Sequence, residues 1–209
     1  MTWIVLGSSL TAPDMLKVAR ADYGDTTLIT TNSGIELAEP DYYFLSDQFA
    51  CKQFGQRSKD MQANGMKVIT LKRLPDALHR RGLDHADILL PIIHTGTPMI
   101  FERGVYRDCM FSGLYCSLFA INNGAKRMVV VGHEGYPPGE DDPSYWYSAE
   151  KPLEHPPEQR LRYTKLYIGP WWQKVADACP DIEFVFYGDL NYKISGPNVK
   201  VIAHANTNA

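Results

Sequence analysis

The fold class this sequence predicts is α/β: a single doubly wound, Rossmann-like domain with a mostly parallel sheet. Three observations predict it. Short apolar, β-branched runs alternate with helical patterns along the chain. Those runs are continuously apolar rather than alternating, as strands buried on both faces are. Small and polar residues follow directly where each run ends. No repeat, linker or low-complexity segment divides residues 1–209, so one nucleotide-binding-type α/β domain is expected to span them.

Taken in order, "TWIVL" is a buried strand that breaks at Gly7-Ser8-Ser9, and "APDMLKVARA" starts a helix with Pro13 and Asp14 early in it. "TTLITT" is a second strand, stopping at Asn32-Ser33-Gly34, and "PDYYFLSD" a third, ending at Ser46-Asp47. Residues 48–64 are expected to be helical with Gly65 as the stop, before the strand "MKVITL" and the short helix "LPDALHRRG". "ADILLPII" contains Pro91 and is expected at a sheet edge or as an extended segment, and 95–109 as a loop. A helix over about 112–123, N-capped by Ser112, then leads into the strand Arg127–Val131 and its exit "GHEGY". Residues 137–157 are rich in proline and aromatic residues and longer than an ordinary connection, which marks a candidate active-site loop. A long helix over about 158–178 and the strands "IEFVFYG" and "VKVIA" complete the pattern.

A net charge of −3 and a pI near 6.1 argue against a polyanion-binding protein, so no nucleic-acid partner is expected. The basic clusters Lys72, Arg73, Arg80, Arg81 and Arg160, Arg162, Lys165 read as solvated helix faces. The four cysteines, Cys51, Cys109, Cys116 and Cys179, form no CxxC pair; Cys109 and Cys116, seven apart, are expected as core thiols on one helix. No signal-peptide pattern is seen, and no apolar stretch approaches the ~20 residues of a membrane span. A cytoplasmic, reduced protein is the expectation; the sequence leaves its oligomeric state open, a homo-oligomer included.

In open α/β sheets ligands bind beyond the carboxyl ends of the strands. Gly7, Ser8, Ser9, Asn32, Ser33, Ser46 and Asp47 all fall there, with His133, Glu134 and Tyr136. Small side chains let backbone N–H groups approach a phosphate, and a helix start such as Ser112-Gly113 adds a favourable dipole. Neither GxGxxG nor a P-loop is present, and no G-x-S-x-G elbow supports a hydrolase. His133 and Glu134 lack further ligands at metal spacing, so no metal site is expected.

"SGLYCSLFAINNGAKRMVVVGHEGY" resembles the second signature of the bacterial lipooligosaccharide sialyltransferases. The matching positions are Ser112, Gly113, Tyr115, Cys116, Ala120, Ile121, Gly124, Gly132 and Tyr136. Gly7-Ser8-Ser9-Leu10 is similar to the first signature, and Asn32 stands where the family's second strand ends in Asn. "PDYYFLSD" is similar to the related flagellin glycosyltransferases and archaeal 6-hydroxymethylpterin pyrophosphokinases. The family carries a basic residue where this chain has Cys109. The resemblance implies a nucleotide-sugar donor, CMP-linked, held by the first-strand loop, Asn32, Ser46, Ser112 and Gly113, and an acceptor it does not identify. It also implies that Tyr136 with Tyr145 or Tyr147 binds the departing phosphate, and that His155 is the general base. Phenol hydroxyls can stabilise that phosphate without a metal or other cofactor, and imidazole titrates in the range needed for the acceptor hydroxyl. The alternatives are a Mg²⁺- and ATP-dependent pyrophosphokinase, with Asp47 and Glu134 or Asp141 as ligands, and a nucleotide-binding protein without catalysis.

Overall fold

The computed structural model describes residues 1–46, 48–72, 75–80, 82–93, 101–107, 111–136 and 157–204. The expected loop at 137–157 therefore lies almost wholly outside the described residues, and with it Tyr145, Tyr147 and His155; Asp47, Asp141 and Cys109 are outside them too.

One eight-stranded sheet organises the chain. Its first half alternates strictly: β1 (Thr2–Leu6), α1 (Ala12–Tyr23), β2 (Thr27–Thr31), α2 (Gly34–Leu37), β3 (Tyr42–Phe44), α3 (Gln48–Gln62), β4 (Lys67–Leu71), α4 (Pro75–Arg80) and β5 (Ile88–Leu90). The second half is α5 (Ser112–Asn122), β6 (Arg127–Val131), α6 (Pro157–Tyr163), a π-helical turn (Thr164–Ile168), α7 (Gly169–Ala178), β7 (Glu183–Tyr187) and β8 (Val199–Ile202). The strand order is β5-β4-β3-β2-β1-β6-β7-β8, and every pairing is parallel. β5 is indeed an edge strand, ending just before Pro91.

Helices cover both faces, because successive residues of each strand point to opposite sides. Trp3, Val5, Met128, Val130, Phe184 and Phe186 pack under α5 and α7. Ile4, Leu6, Val129, Val131 and Val185 pack under α1, and Tyr43 and Val68 under α3. α5 is buried at every position from Leu114 to Ile121, since it is sandwiched between the sheet and Trp171 of α7. Tyr115 stacks on Phe44 with ring centroids 5.1 Å apart.

Two local expectations are corrected. Ser112 is the first residue of α5 rather than its cap. The cap is Phe111, extended at φ −126° and ψ 141°, with no side-chain capping bond. Its ring instead packs edge-on against Tyr163, 5.5 Å between centroids. Cys51, Cys116 and Cys179 are buried free thiols, and the expected pairing of Cys109 with Cys116 on one helix face falls outside the described residues. The helix expected over 158–178 is not uniformly α-helical. Pro170 has no N–H for the carbonyl of Leu166 and its ring crowds that carbonyl. The turn just ahead widens, and the Gly169 amide reaches back to the Thr164 carbonyl.

Candidate functional site at the sheet switch point

The chain builds β1 to β5 outward on one side of β1, then returns through α5 to lay β6 on the other. The loops leaving β1 and β6 therefore diverge, which opens the crevice where such sheets bind ligands. Glycines hold the two loops together. The Gly7 amide donates to the Val131 carbonyl (2.7 Å) and the Ser9 amide to that of Gly132 (3.3 Å). A Cβ on Gly7 would stand 2.3 Å from the Gly132 oxygen, and Gly132 itself has φ 77°. Neither position has room for a side chain.

The loop after β2 is tied to this pair. The Ser33 hydroxyl donates to Ser8 Oγ (3.1 Å), and both serines are buried. Asn32 takes the left-handed conformation at φ 50°, which Asn tolerates better than most residues. Its carbonyl accepts the Tyr43 hydroxyl at 3.0 Å. Gly7, Ser8, Ser9 and Asn32 thus share one edge, with half-buried Ser46 two residues beyond β3.

β6 sends its exit residues to opposite faces. The His133 ring turns toward α5: a Cβ on Gly113 would lie 2.5 Å from its Cε1, and one on Gly7 would lie 2.9 Å from its Cδ2. Trp172 meets the ring edge-on at 5.4 Å. His133 Nε2 is shut off from solvent and has no hydrogen-bond partner among the described residues. Burial lowers the imidazole pKa to about 4 and keeps the ring neutral at pH 7. Ser112 and Gly113 are therefore brought to the β6 exit, as expected, and His133 is the contact between them.

Glu134 turns toward α1. It is 4% exposed and accepts a hydrogen bond from the Thr11 hydroxyl. Burial raises its pKa, while the hydroxyls of Ser9 and Thr11 pull it back down. Its Oε2 is buried with no partner among the described residues. The segment after β7 closes over the exit: the Asn191 amide donates to the Glu134 carbonyl (2.8 Å) and the Tyr192 hydroxyl to that of His133 (2.9 Å). Burial, with Glu134 nearby, pushes the Tyr192 phenol well above its usual range.

Tyr136 leaves this exit with its amide donating to Thr164 Oγ1 at 2.8 Å, on the π-helical turn. Its ring joins a half-buried aromatic cluster with Tyr163 (6.3 Å), itself 6.0 Å from Tyr167. Sequence reading does not pick out Tyr163, Thr164, Asn191 and Tyr192 at this exit. The one available signal was the Gly-His-Glu-Gly pattern at a strand end.

No protein-family model, curated protein or solved structure matches the chain. Among the described residues, no three His, Cys, Asp or Glu side chains cluster to hold a metal ion, and no helix is long and apolar enough to cross a membrane.

Proposed function

We propose that the chain binds a nucleotide-activated sugar, CMP-linked, in the crevice between the exits of β1 and β6 and transfers the sugar to an acceptor hydroxyl. One observation carries the binding half of this reading. The first turn of α5, the Gly7–Ser9 loop and the β6 exit pack on one another around His133. The α5 turn contains no acidic residue. An anion there would meet backbone amides and the positive end of an 11-residue helix.

The transfer half rests on the resemblance of residues 111–136 to the sialyltransferase signature. In a direct displacement, His155 takes the acceptor hydroxyl's proton while the oxygen bonds to the anomeric carbon. The carbon–oxygen bond to the phosphate breaks, and CMP departs carrying the electron pair as phosphate charge. Hydroxyls of Tyr136 and of Tyr145 or Tyr147 would donate to that charge.

A thermal-shift and calorimetric panel of CMP, UDP, GDP, ATP and pterin, each with Mg²⁺ and with EDTA, tests the ligand class. Stabilisation by CMP that survives EDTA supports the reading. Stabilisation by ATP only with Mg²⁺ replaces it with the pyrophosphokinase. His155→Ala should abolish transfer while CMP affinity stays within a few-fold, and unchanged turnover removes His155 from the mechanism.

A further inference from the structure

Two helices, α1 and α5, begin at the switch point, and different side chains of the β6 exit face their first turns. At the start of α1 the protein supplies its own carboxyl. Glu134 lies 4% exposed against Thr11, within reach of the Ser9 hydroxyl, and the Gly188 backbone closes behind it. A Cβ on Gly188 would stand 2.7 Å from the Glu134 Cδ, so the carboxyl group fills that space. Its Oε2 is buried and takes no hydrogen bond from the described residues, which leaves part of the carboxyl group's desolvation uncompensated. At the start of α5 there is no acid, and a neutral imidazole lies against Gly113.

We propose that Glu134 is a specificity-determining residue, limiting this site to ligands that carry a single phosphate. A phosphate seated at α5 would meet a helix start with no acidic residue in its first turn. A second or third phosphate reaching toward α1 would meet a carboxyl that occupies the seat and, when ionised, repels it. Discrimination thus comes from an obstacle to the wrong ligand rather than an extra contact to the right one. The inference rests on the nucleotide reading above and adds a named residue to it.

The experiment compares binding of CMP, CDP and CTP by calorimetry in EDTA, for the wild type, Glu134→Gln and Glu134→Ala, with inorganic phosphate and pyrophosphate as separate probes. The wild type should bind CMP at least about ten-fold more tightly than CTP, a difference of about 1.4 kcal/mol. Gln removes the charge and keeps the volume; Ala removes both. At least one variant should narrow the CTP-to-CMP gap by about ten-fold or more. A wild type that binds CTP as well as CMP overturns the inference, whether or not either variant folds. So does an unchanged gap in both folded variants. If no nucleotide binds, the nucleotide reading falls by itself. The pyrophosphate arm then decides: stabilisation of a Glu134 variant but not of the wild type upholds the obstacle, and equal behaviour overturns it.

Discussion

Gly113→Ala tests the packing that joins α5 to the β6 exit. The new Cβ would sit 2.5 Å from His133 Cε1, 3.2 Å from Nε2 and 3.3 Å from Nδ1. The ring has little room to retreat. Gly7 lies close on its other side and Trp172 closes its edge. The Tyr192 hydroxyl also anchors the His133 backbone. Overpacking a closed site costs about 1–3 kcal/mol, and replacing Gly by Ala within a helix returns about 1 kcal/mol at most. The net destabilisation expected is about 0–2 kcal/mol, which for a chain of this length lowers Tm by up to about 8 °C. Denaturant unfolding of the wild type, Gly113→Ala, His133→Ala and the double variant measures it as a cycle. With the imidazole gone, Gly113→Ala should become neutral or stabilising. A Gly113→Ala protein as stable as the wild type, with no coupling to His133, would refute the contact.

Three further outcomes follow from the same geometry. His133 has a folded pKa of about 4 against 6.5 ordinarily, so the folded state holds fewer protons between those values; its contribution is intact above pH 6.5 and is lost as pH falls toward 4, on the order of 3 kcal/mol. Unfolding measured from pH 7.5 to 4 should fall less steeply in His133→Gln, and parallel profiles would assign the slope to other groups. Thr164→Val leaves the Tyr136 amide without its acceptor, so a loss of about 1–3 kcal/mol and faster exchange of that amide are expected; an unchanged exchange rate would mean the bond is not made in solution. On the surface, hydrogen bonds from Arg103 (2.8 and 3.1 Å) hold the Asp181 carboxyl at a pKa of about 2, so its contribution is present above pH 3.8 and lost as pH falls through about 2. Arg103→Gln should raise the Asp181 midpoint in a carboxyl NMR titration, whereas an unmoved midpoint would point to another cause.

The strands and their exits were legible in the sequence because their signals are local. Continuous apolar runs such as "MVVV" mark doubly covered strands, and the Gly, Ser and Asn residues after them mark where the ligand edge must be. The start of α5 was misread by one residue, since Ser suits a cap in isolation while Phe111 is held extended by its packing on Tyr163. Asn191 and Tyr192 carried no signal at all. Tyr192 acts on His133 across 59 residues of chain, a meeting set by β7 lying beside β6 in the sheet. Strand alternation alone also does not tell how a ring and a carboxyl will turn beyond Gly132, where the positive φ resets the direction of the chain. His133 and Glu134 therefore looked like a pair, although they serve opposite faces.

That division has an electrostatic consequence. Glu134 gives the α1 start a carboxyl from within the protein, whereas His133 gives the α5 start a neutral ring. With no acid in its first turn, α5 keeps its amide groups and dipole as a source of favourable potential for a ligand anion. Gly113 makes this arrangement sterically feasible, because any larger residue would push the ring off the turn it covers. If α5 is the phosphate seat, Gly113→Ala should weaken CMP binding as well as folding, and the His133→Ala background separates the two. Stability recovered without affinity would mean the imidazole itself touches the ligand; recovery of both would mean it only shapes the turn.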